Sequence, residues 1–188
     1  VNGQSSIDTN TSIIGTFDTA GQSLVISLSD DANIICVADN DGGLQVIDAS
    51  NATNPTLLSS HSTPGLARGV TQSSTDDVAY VGDFGAGLRI VDISTPSSPT
   101  VIGTYSLSGA RGVTLSADER TVYVADDYDG LQIIDVSNPA SPSLLGGYDT
   151  SGRSYEVTLS PDGTFIYLAD GSGGLKIIDV SNPTNAVL

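Results

Sequence analysis

A six-residue segment of the pattern Gly-Leu-x-Ile/Val-Ile/Val-Asp recurs four times along this chain. The four copies are Gly43–Asp48, Gly87–Asp92, Gly130–Asp135 and Gly174–Asp179. Their leucines are spaced by 44, 43 and 44 residues. A period of this length is typical of repeat architectures, in which each unit buries its apolar surface against its neighbours. The repeat therefore constrains the fold more strongly than the overall composition does.

Each repeat contains four short β-rich runs separated by Gly, Pro, Asp and Asn clusters. In the third unit the runs are Val101–Tyr105, Val113–Leu115, Val122–Ala125 and Leu131–Val136. The apolar residues show no sustained helical period, so no helix is expected. Because adjacent residues of a run are both apolar, the strands should be buried on both faces, as in stacked sheets. Four such strands in about 43 residues predict an all-β fold, a β-propeller with four-stranded antiparallel blades.

The equivalent apolar positions of the four repeats should form the core. These positions are Leu44, Leu88, Leu131 and Leu175, with Val46, Ile90, Ile133 and Ile177 two residues further on. Within each blade the run equivalent to Val113–Leu115 should be innermost and the run containing Leu144 outermost. Cys36 aligns with Tyr80, Tyr123 and Tyr167 of the other repeats, so it should be a packed core residue.

The repeats divide the chain into an N-terminal extension, residues 1–12, and a four-repeat propeller, residues 13–188. Both Ile13–Phe17 and Val187–Leu188 align with the outermost strand of a blade, so two segments compete for one position. We therefore expect the blades either to associate with another copy or to belong to a larger propeller. The alternative is a small closed ring in which Ile13–Phe17 completes the fourth blade.

The charge balance excludes one class of partner. The 188 residues include 22 acidic and 6 basic side chains, a formal net charge of −16. Such a surface repels nucleic acid and anionic membranes. No apolar run is long enough to span a membrane. The abundance of Asp, Ser, Thr, Asn and Gly in place of Lys and Glu favours an exported protein, whereas the single Cys36 says little about the redox compartment.

The repeat motifs resemble a known family. The Leu-x-Ile-Ile/Val-Asp run followed by Ser-Asn-Pro is similar to the LVIVD repeat of bacterial and archaeal surface proteins. The Arg-Gly-Val-Thr-Leu-Ser-x-Asp segment with Tyr-Val-Ala-Asp also resembles YVTN-type propeller repeats. The resemblance covers residues 13 to 188 and implies a propeller, exported in most cases and often part of a larger surface protein. It implies no particular reaction.

Aspartate recurs at two positions of every repeat. After the third strand of each blade stand Asp48, Asp92, Asp135 and Asp179, and after the second stand Asp39, Asp83, Asp126 and Asp170. A catalytic or metal role would require four equal sites, so turn formation by bonds to nearby backbone explains the first set better. The same reasoning extends to the second set.

Candidate binding residues lie where the repeats differ. Arg68 and Arg111 share one position at the entry to the inner strand, and each is expected to pair with an aspartate, with recognition of an anionic ligand as the alternative. The fourth repeat replaces this pattern with a segment one residue longer than that of the third. It contributes Arg153, Tyr155 and Glu156 as further candidate binding residues.

Two segments resemble fragments of calcium loops, and calcium is the only cofactor that the sequence suggests. They supply Asp39 and Asp41 in the first repeat and Asp127 and Asp129 in the third. Neither has the distal bidentate acid of a complete loop, so ordinary turns are favoured. His61 is the only histidine and should lie at the end of an outer strand, which disfavours a Ser-His-Asp triad.

These observations favour a non-enzymatic module of an exported or cell-surface protein that acts as a binding or assembly scaffold for protein or glycan. Self-association through open propeller ends is a further expectation. One alternative is a calcium-assisted adhesin or filament subunit. The other is a propeller hydrolase or lyase with acids at the mouth, although no matched acid, base and nucleophile is evident.

Overall fold

A computed structural model describes residues 12–75 and 77–185, and its strands form four antiparallel sheets, the blades. Blade 1 contains β1 (Val25–Leu28), β2 (Ile34–Ala38), β3 (Leu44–Asp48) and β4 (Thr56–His61). Blade 2 contains β5 (Leu66–Gln72), β6 (Val78–Phe84), β7 (Gly87–Asp92) and β8 (Thr100–Tyr105). Blade 3 contains β9 (Ala110–Leu115), β10 (Thr121–Asp126), β11 (Gly130–Asp135) and β12 (Ser143–Tyr148). Blade 4 contains β13 (Glu156–Leu159), β14 (Phe165–Ala169) and β15 (Leu175–Asp179).

The strand order within each blade follows the chain from the innermost strand outwards, as predicted. Every consecutive pair within a blade is antiparallel. Asp- and Gly-rich turns connect the second strand to the third, and longer Ser-, Asn- and Pro-rich segments connect the third to the fourth. The expectation of no helix was wrong at two places in the described residues. Short 3-10 turns occur at Gly171–Gly173 and Pro183–Asn185.

The core consists of three apolar layers, one between each pair of successive blades. One layer joins blades 1 and 2, the next joins blades 2 and 3, and the last joins blades 3 and 4. The inner strands also follow one another, since β5 packs against β1 and β9, and β9 packs against β13. No apolar layer joins blade 4 to blade 1 within the described ranges. The four blades therefore form an open arc.

The predicted core positions are buried in blades 1 to 3, where the side chains of Leu44, Leu88 and Leu131 are wholly inaccessible. The prediction was wrong for blade 4, where Leu175 is 65% exposed and Ile177 is 50% exposed. The physical reason is that these two side chains point away from blade 3, towards the side on which no further blade is packed. Cys36 is buried, as predicted.

The aspartates after the third strands form turns, as predicted. In each blade the carboxylate accepts a hydrogen bond from the backbone N–H of the serine two residues later. The four pairs are Asp48 with Ser50 at 2.9 Å, Asp92 with Ser94 at 2.9 Å, Asp135 with Ser137 at 2.8 Å and Asp179 with Ser181 at 2.9 Å. The serine hydroxyl, which is the larger cause, and this backbone N–H together lower the pKa of all four carboxyls. The motif therefore serves the fold.

Of the two segments that align with the outermost strand of a blade, the structure describes only Ile13–Phe17. Residues 1–11 of the N-terminal extension and the segment Val187–Leu188 lie outside the described residues. Ile13–Phe17 is described, belongs to no strand and exposes Ile13 and Ile14 to solvent. It lies beside blade 1, where Gly15 approaches the backbone of Ala52. It does not pair with β15, so the small closed ring is not formed in this structure.

Candidate functional site

The loops before the inner strands and the loops after the second strands meet at one end of the arc, which we call the mouth. A buried aspartate of each second-strand loop organises this end. Asp39 accepts hydrogen bonds from the Thr19 hydroxyl at 2.6 Å and the Gly21 N–H at 2.7 Å. Asp170 is held in the same way by Thr150 and Ser154 in blade 4. These carboxylates fix the loops that carry the candidate binding residues.

Arginine and aromatic side chains alternate across the mouth. The strand register places Arg68, Arg111 and Tyr155 at equivalent positions of blades 2, 3 and 4. The Arg111 guanidinium lies between two rings, 4.9 Å from the centre of Phe84 and 4.6 Å from the centre of Tyr155. Arg68 lies on the Phe84 ring at 5.6 Å. We call this arrangement, with Tyr128 and Arg153, the mouth cluster.

Tyr128 and Arg153 extend the mouth cluster towards solvent. The Arg153 guanidinium lies 5.7 Å from the centre of the Tyr128 ring, and that ring lies 6.3 Å from Phe84. Arg153, Tyr128 and Tyr155 are all exposed. Each cation–π contact of this kind contributes about 0.5–1 kcal/mol where water has access. The cluster therefore presents an ordered surface of rings and guanidinium groups to a ligand.

Asp127 joins the third and fourth blades beneath this surface. Its buried carboxylate pairs with Arg111 of the same blade at 2.9 Å and faces Arg153 of blade 4 at 3.8 Å. The closer contact is a charge-assisted hydrogen bond from Nε to Oδ1, whereas the longer one is an ion pair without a hydrogen bond. Arg111 is thus held in the scaffold, and Arg153 is left largely available.

The predicted pairing of the two equivalent arginines with aspartates is confirmed for Arg111 and wrong for Arg68. Within the described residues Arg68 forms no ion pair, and its buried Nε has no hydrogen-bond partner. The nearby Asp83 is engaged by Arg89, at 2.7 Å. Arg68 is therefore a partly buried cation whose charge is not matched by a neighbouring carboxylate.

Glu156 lies at the edge of the mouth cluster, next to Tyr155 in the sequence. It takes the place that Gly112 has in blade 3, and its side chain packs against that glycine. Partial burial raises the pKa of its carboxyl, although the residue keeps an exposed surface. The loop that precedes it is one residue longer than in blade 3, as predicted. Blades 1 and 2 have the longer loop as well, so blade 3 is the exception.

Most of the positive charge of the chain is collected at the mouth. Of the six basic residues, five lie there, and only Arg120 belongs to a turn at the opposite end. The five are Arg68, Arg89, Arg111, Arg153 and Lys176. Four of these face buried aspartates, and Arg89, Arg111 and Lys176 are less exposed than Arg153. Because the buried aspartates lie at the same end, the positive charge open to an anionic group is chiefly that of Arg68 and Arg153.

The predicted calcium residues also lie at the mouth. Asp39 is occupied by hydroxyl and amide donors of its own chain, Asp127 by Arg111, and Asp129 accepts a bond from Ser108 at 3.3 Å. In residues 12–75 and 77–185, no three His, Cys, Asp or Glu side chains form a group that could hold a metal ion. Calcium binding by these residues, including Asp41, stays a prediction.

Sequence reasoning missed Phe84 and Tyr128. Phe84 ends the second strand of blade 2 and Tyr128 follows that of blade 3, at positions where the four repeats differ, since blades 1 and 4 have no aromatic residue there. That irregularity was the available signal, because ligand contacts in repeat proteins concentrate in variable loops. His61 ends β4, as predicted, and takes no part in the mouth cluster.

Four stacked antiparallel blades with their loops gathered at one mouth define a β-propeller architecture. The chain belongs to the LVIVD repeat family, whose sequence model matches residues 20–63, 73–106, 112–150 and 151–188. No curated protein matches the chain. No helix in the described part of the chain has the length and apolarity to span a membrane.

Solved structures share the fold at low sequence identity. A Bacteroides uniformis protein provisionally named a 6-phosphogluconolactonase has a TM-score of 0.74 and 16% identity, over 90% of this chain and 56% of its own. Hydrazine synthase of Kuenenia stuttgartiensis has a TM-score of 0.72 and 18% identity, over 95% and 52%. The β-propeller domain of Cps50 (Swd1) from Myceliophteria thermophila has a TM-score of 0.69 and 14% identity, over 88% and 55%. The chain thus spans about half the length of these structures, and the likeness concerns the fold alone.

Proposed function

We propose that the chain is a non-enzymatic binding module of an exported or cell-surface protein, and that its mouth receives a ligand bearing a carboxylate beside an apolar face. A uronate-containing glycan fits this description best, and an acidic peptide is the alternative ligand. The observation that carries the proposal is the mouth cluster, in which guanidinium groups and exposed aromatic rings alternate on adjacent blades.

The roles within the site follow from burial and pairing. Arg111 is clamped by Asp127 and two rings, so it supports the surface. Arg68, without an ion pair, and Arg153, with an exposed guanidinium, are the groups free to meet a carboxylate. The planar guanidinium matches a carboxylate through two parallel hydrogen bonds. Tyr128 and Tyr155 offer ring faces against which the apolar side of a sugar can pack.

The overall charge limits the size of the ligand. A net charge of −16 repels a long polyanion at distances beyond the mouth, whereas a single carboxylate feels chiefly the nearby arginines. Short oligosaccharides with isolated uronate residues are therefore favoured over densely charged polymers.

Calorimetric titration with uronate oligosaccharides tests the proposal, with the carboxyl-reduced forms of the same oligosaccharides as matched ligands. We expect binding of the acidic form and at least about tenfold weaker binding of the reduced form, which equals about 1.4 kcal/mol. Arg68→Ala and Arg153→Ala should weaken binding, whereas Arg120→Ala, at the opposite end, should not. Equal binding of both ligand forms, or an equal loss in the Arg120 variant, would contradict the assignment of the site.

The enzyme alternative has its own measurement. The Bacteroides uniformis structure carries a provisional lactonase name, so a lactone belongs beside esters, glycosides and peptides in a panel of hydrolysis assays. We expect no turnover above that of a Glu156→Gln variant on any substrate. Turnover that depends on Glu156 or on the mouth aspartates would establish the propeller hydrolase instead. Melting curves with and without calcium test the adhesin alternative, for which a calcium-dependent rise in Tm is required.

A further inference from the structure

Within the described residues blade 4 has no outer strand, whereas each of the other blades has one. It has three strands, and the outer edge of β15 is unpaired in the described residues. The face of this blade that points away from blade 3 is apolar and accessible. That face, the forward face, consists of Phe165, Tyr167, Leu175 and Ile177, which are 39%, 40%, 65% and 50% exposed. An unpaired edge beside an exposed apolar face is the signature of a surface that is covered in use.

Ile13–Phe17 occupies the place of an outer strand that belongs to a preceding blade. In blades 1 to 3, each outer strand touches the turn before the outer strand of the next blade. The Ser59 hydroxyl donates to the Pro96 carbonyl at 2.6 Å, and Cβ atoms at Gly103 and Gly146 would press on the backbone of Pro139 and Pro183. Gly15 has the same relation to Ala52 of blade 1, where a Cβ would collide with the carbonyl oxygen. The segment is thus seated as the outer strand of a blade that would precede blade 1.

The side of blade 1 that points away from blade 2, the back face, is apolar like the forward face of blade 4. On its inner strand Ile26 and Leu28 are 59% and 52% exposed, whereas Val37 and Ile47 are already buried. Ile35, Val37 and Ile47 stand at the positions that Ile166, Leu168 and Ile178 hold in blade 4, where they are buried against blade 3. Beside the seated segment the back face borders a cavity of about 340 Å³. Its lining includes Phe17, Ile26, Ile35, Val37 and Ile47. A blade placed there would meet the residue types that already form the three internal layers.

We propose that two copies of the chain close head to tail into one eight-bladed ring, in which Ile13–Phe17 of each copy becomes the outer strand of blade 4 of the other. The forward face of one copy then packs on the back face of its partner. A second copy fits both ends because the open edge of β15 in one copy and the seated segment Ile13–Phe17 of the other are complementary. Repetition of one head-to-tail interface produces a ring when the rotation closes, and eight blades lie within the range of known propellers.

The register of the exchanged strand follows from blade 3. There β11 pairs with β12 so that Leu131 stands opposite Tyr148. The same alignment places Leu175 of one copy opposite Phe17 of the other. Both side chains are accessible in the single chain, so either can be replaced by cysteine without disturbing the core.

The charge of the chain determines how salt affects the proposed dimer. Two copies, each with a net charge of −16, repel one another, and added salt screens this repulsion while leaving apolar burial in place. Dimer formation should therefore strengthen between about 20 mM and 500 mM NaCl, the range over which the Debye length falls below the separation of the surface charges.

The decisive experiment mixes two singly substituted chains, Phe17→Cys and Leu175→Cys, one of them carrying a mass tag, under mild oxidation. We expect a disulfide-linked heterodimer from the mixture and none from either variant alone. Thr100→Cys mixed with Leu175→Cys is the matched control, because Thr100 is an exposed position of β8 within blade 2. Light scattering of the unmodified chain should give twice the chain mass and a dimer that strengthens with salt.

Several outcomes would overturn the proposal. A monomeric mass at every salt concentration, without heterodimer, would assign the two faces to further blades other than those of a second copy. An intrachain disulfide in the double variant Phe17→Cys/Leu175→Cys at monomeric mass would show that four blades close on themselves. A ladder of masses above the dimer would show that the head-to-tail contact does not close at two copies.

Discussion

Blades 3 and 4 have closely similar sequences but different environments. Tyr123, Leu131 and Ile133 of blade 3 are buried against blade 4, while the equivalent Tyr167, Leu175 and Ile177 are partly or largely exposed. On the opposite side the two blades agree, since Ile166, Leu168 and Ile178 of blade 4 are as buried as their blade 3 counterparts. In a repeat array, the presence of a neighbour rather than residue type determines burial.

The first prediction, with the largest expected effect, tests this difference directly. Leu131→Ala should lower the free energy of unfolding by roughly 2–5 kcal/mol, because it removes a fully buried side chain and leaves a cavity. Leu175→Ala, at the same position of blade 4, should cost no more than about 0.5 kcal/mol, because that side chain is largely accessible. Urea denaturation at low protein concentration measures both values.

The same pair of variants sharpens the comparison at high protein concentration. If a second copy covers the forward face, the cost of Leu175→Ala should rise with concentration while that of Leu131→Ala stays constant. Equal costs at low concentration would show that blade 4 is covered within a single chain, contrary to the open arc.

The second prediction compares two arginines at one aspartate. Arg111→Ala should destabilise the protein by about 3 kcal/mol, because it leaves the buried carboxylate of Asp127 without its hydrogen-bonded partner. Arg153→Ala should cost at most about 0.5 kcal/mol, since this exposed guanidinium lies 3.8 Å from the same carboxylate and is screened by water. The double variant Arg111→Ala/Asp127→Asn is the control and should recover part of the loss. No recovery would mean that packing on Phe84 and Tyr155 accounts for the cost.

The third prediction concerns alkaline pH. Burial raises the pKa of the Tyr123 phenol, and the Asp118 carboxylate adds to the shift. The folded-state pKa lies above the ordinary value of about 10. The contribution of Tyr123 to the free energy of unfolding is therefore complete below about pH 10 and is lost as the pH rises through the folded-state pKa. Tyr123→Phe should therefore flatten the decline of stability above about pH 10. Urea midpoints measured against pH give this slope, and Tyr167→Phe in blade 4 is the matched control. An equal flattening in both variants would contradict a difference in burial.

The features that recur in every repeat were predicted from the sequence. The predictions were wrong where burial depends on an adjacent blade. The strand order, the buried leucines of blades 1 to 3 and the Asp–Ser turns follow from local pattern, because each depends on residues within one repeat. Leu175 has the same local pattern, and it is exposed because no fourth apolar layer covers it within the described residues.

The candidate site was predicted in part, for a similar reason. Arg111 was predicted from the position that it shares with Arg68, and Arg153, Tyr155 and Glu156 were predicted from the break in the repeat. The stacking of Arg111 of blade 3 on Phe84 of blade 2 depends on how successive blades place their loops together. No spacing within a single repeat encodes that contact. The lack of an ion pair at Arg68 has a different cause, because Arg89 of the same blade pairs with Asp83.

The fourth prediction, with the smallest expected effect, concerns a feature that should not differ between the two blades. Asp135 and Asp179 each accept a hydrogen bond from a serine two residues later, and these bonds lower the pKa of both carboxyls below the ordinary value of 3.8. The contribution of these two carboxylates to the free energy of unfolding is present above the ordinary pKa and is lost as the pH falls through the lower folded-state pKa. Asp135→Asn and Asp179→Asn should each reduce the acid sensitivity of stability by the same small amount. Denaturant midpoints from pH 5 to pH 2.5, about the range over which carboxylates titrate, measure it. Each of these hydrogen bonds is made within one turn. Equal effects of the two Asp→Asn variants, together with unequal effects of Leu131→Ala and Leu175→Ala, would therefore distinguish the local contribution of the turn from that of packing between blades. A larger effect at Asp135 would show instead that the neighbouring blade stabilises the turn as well.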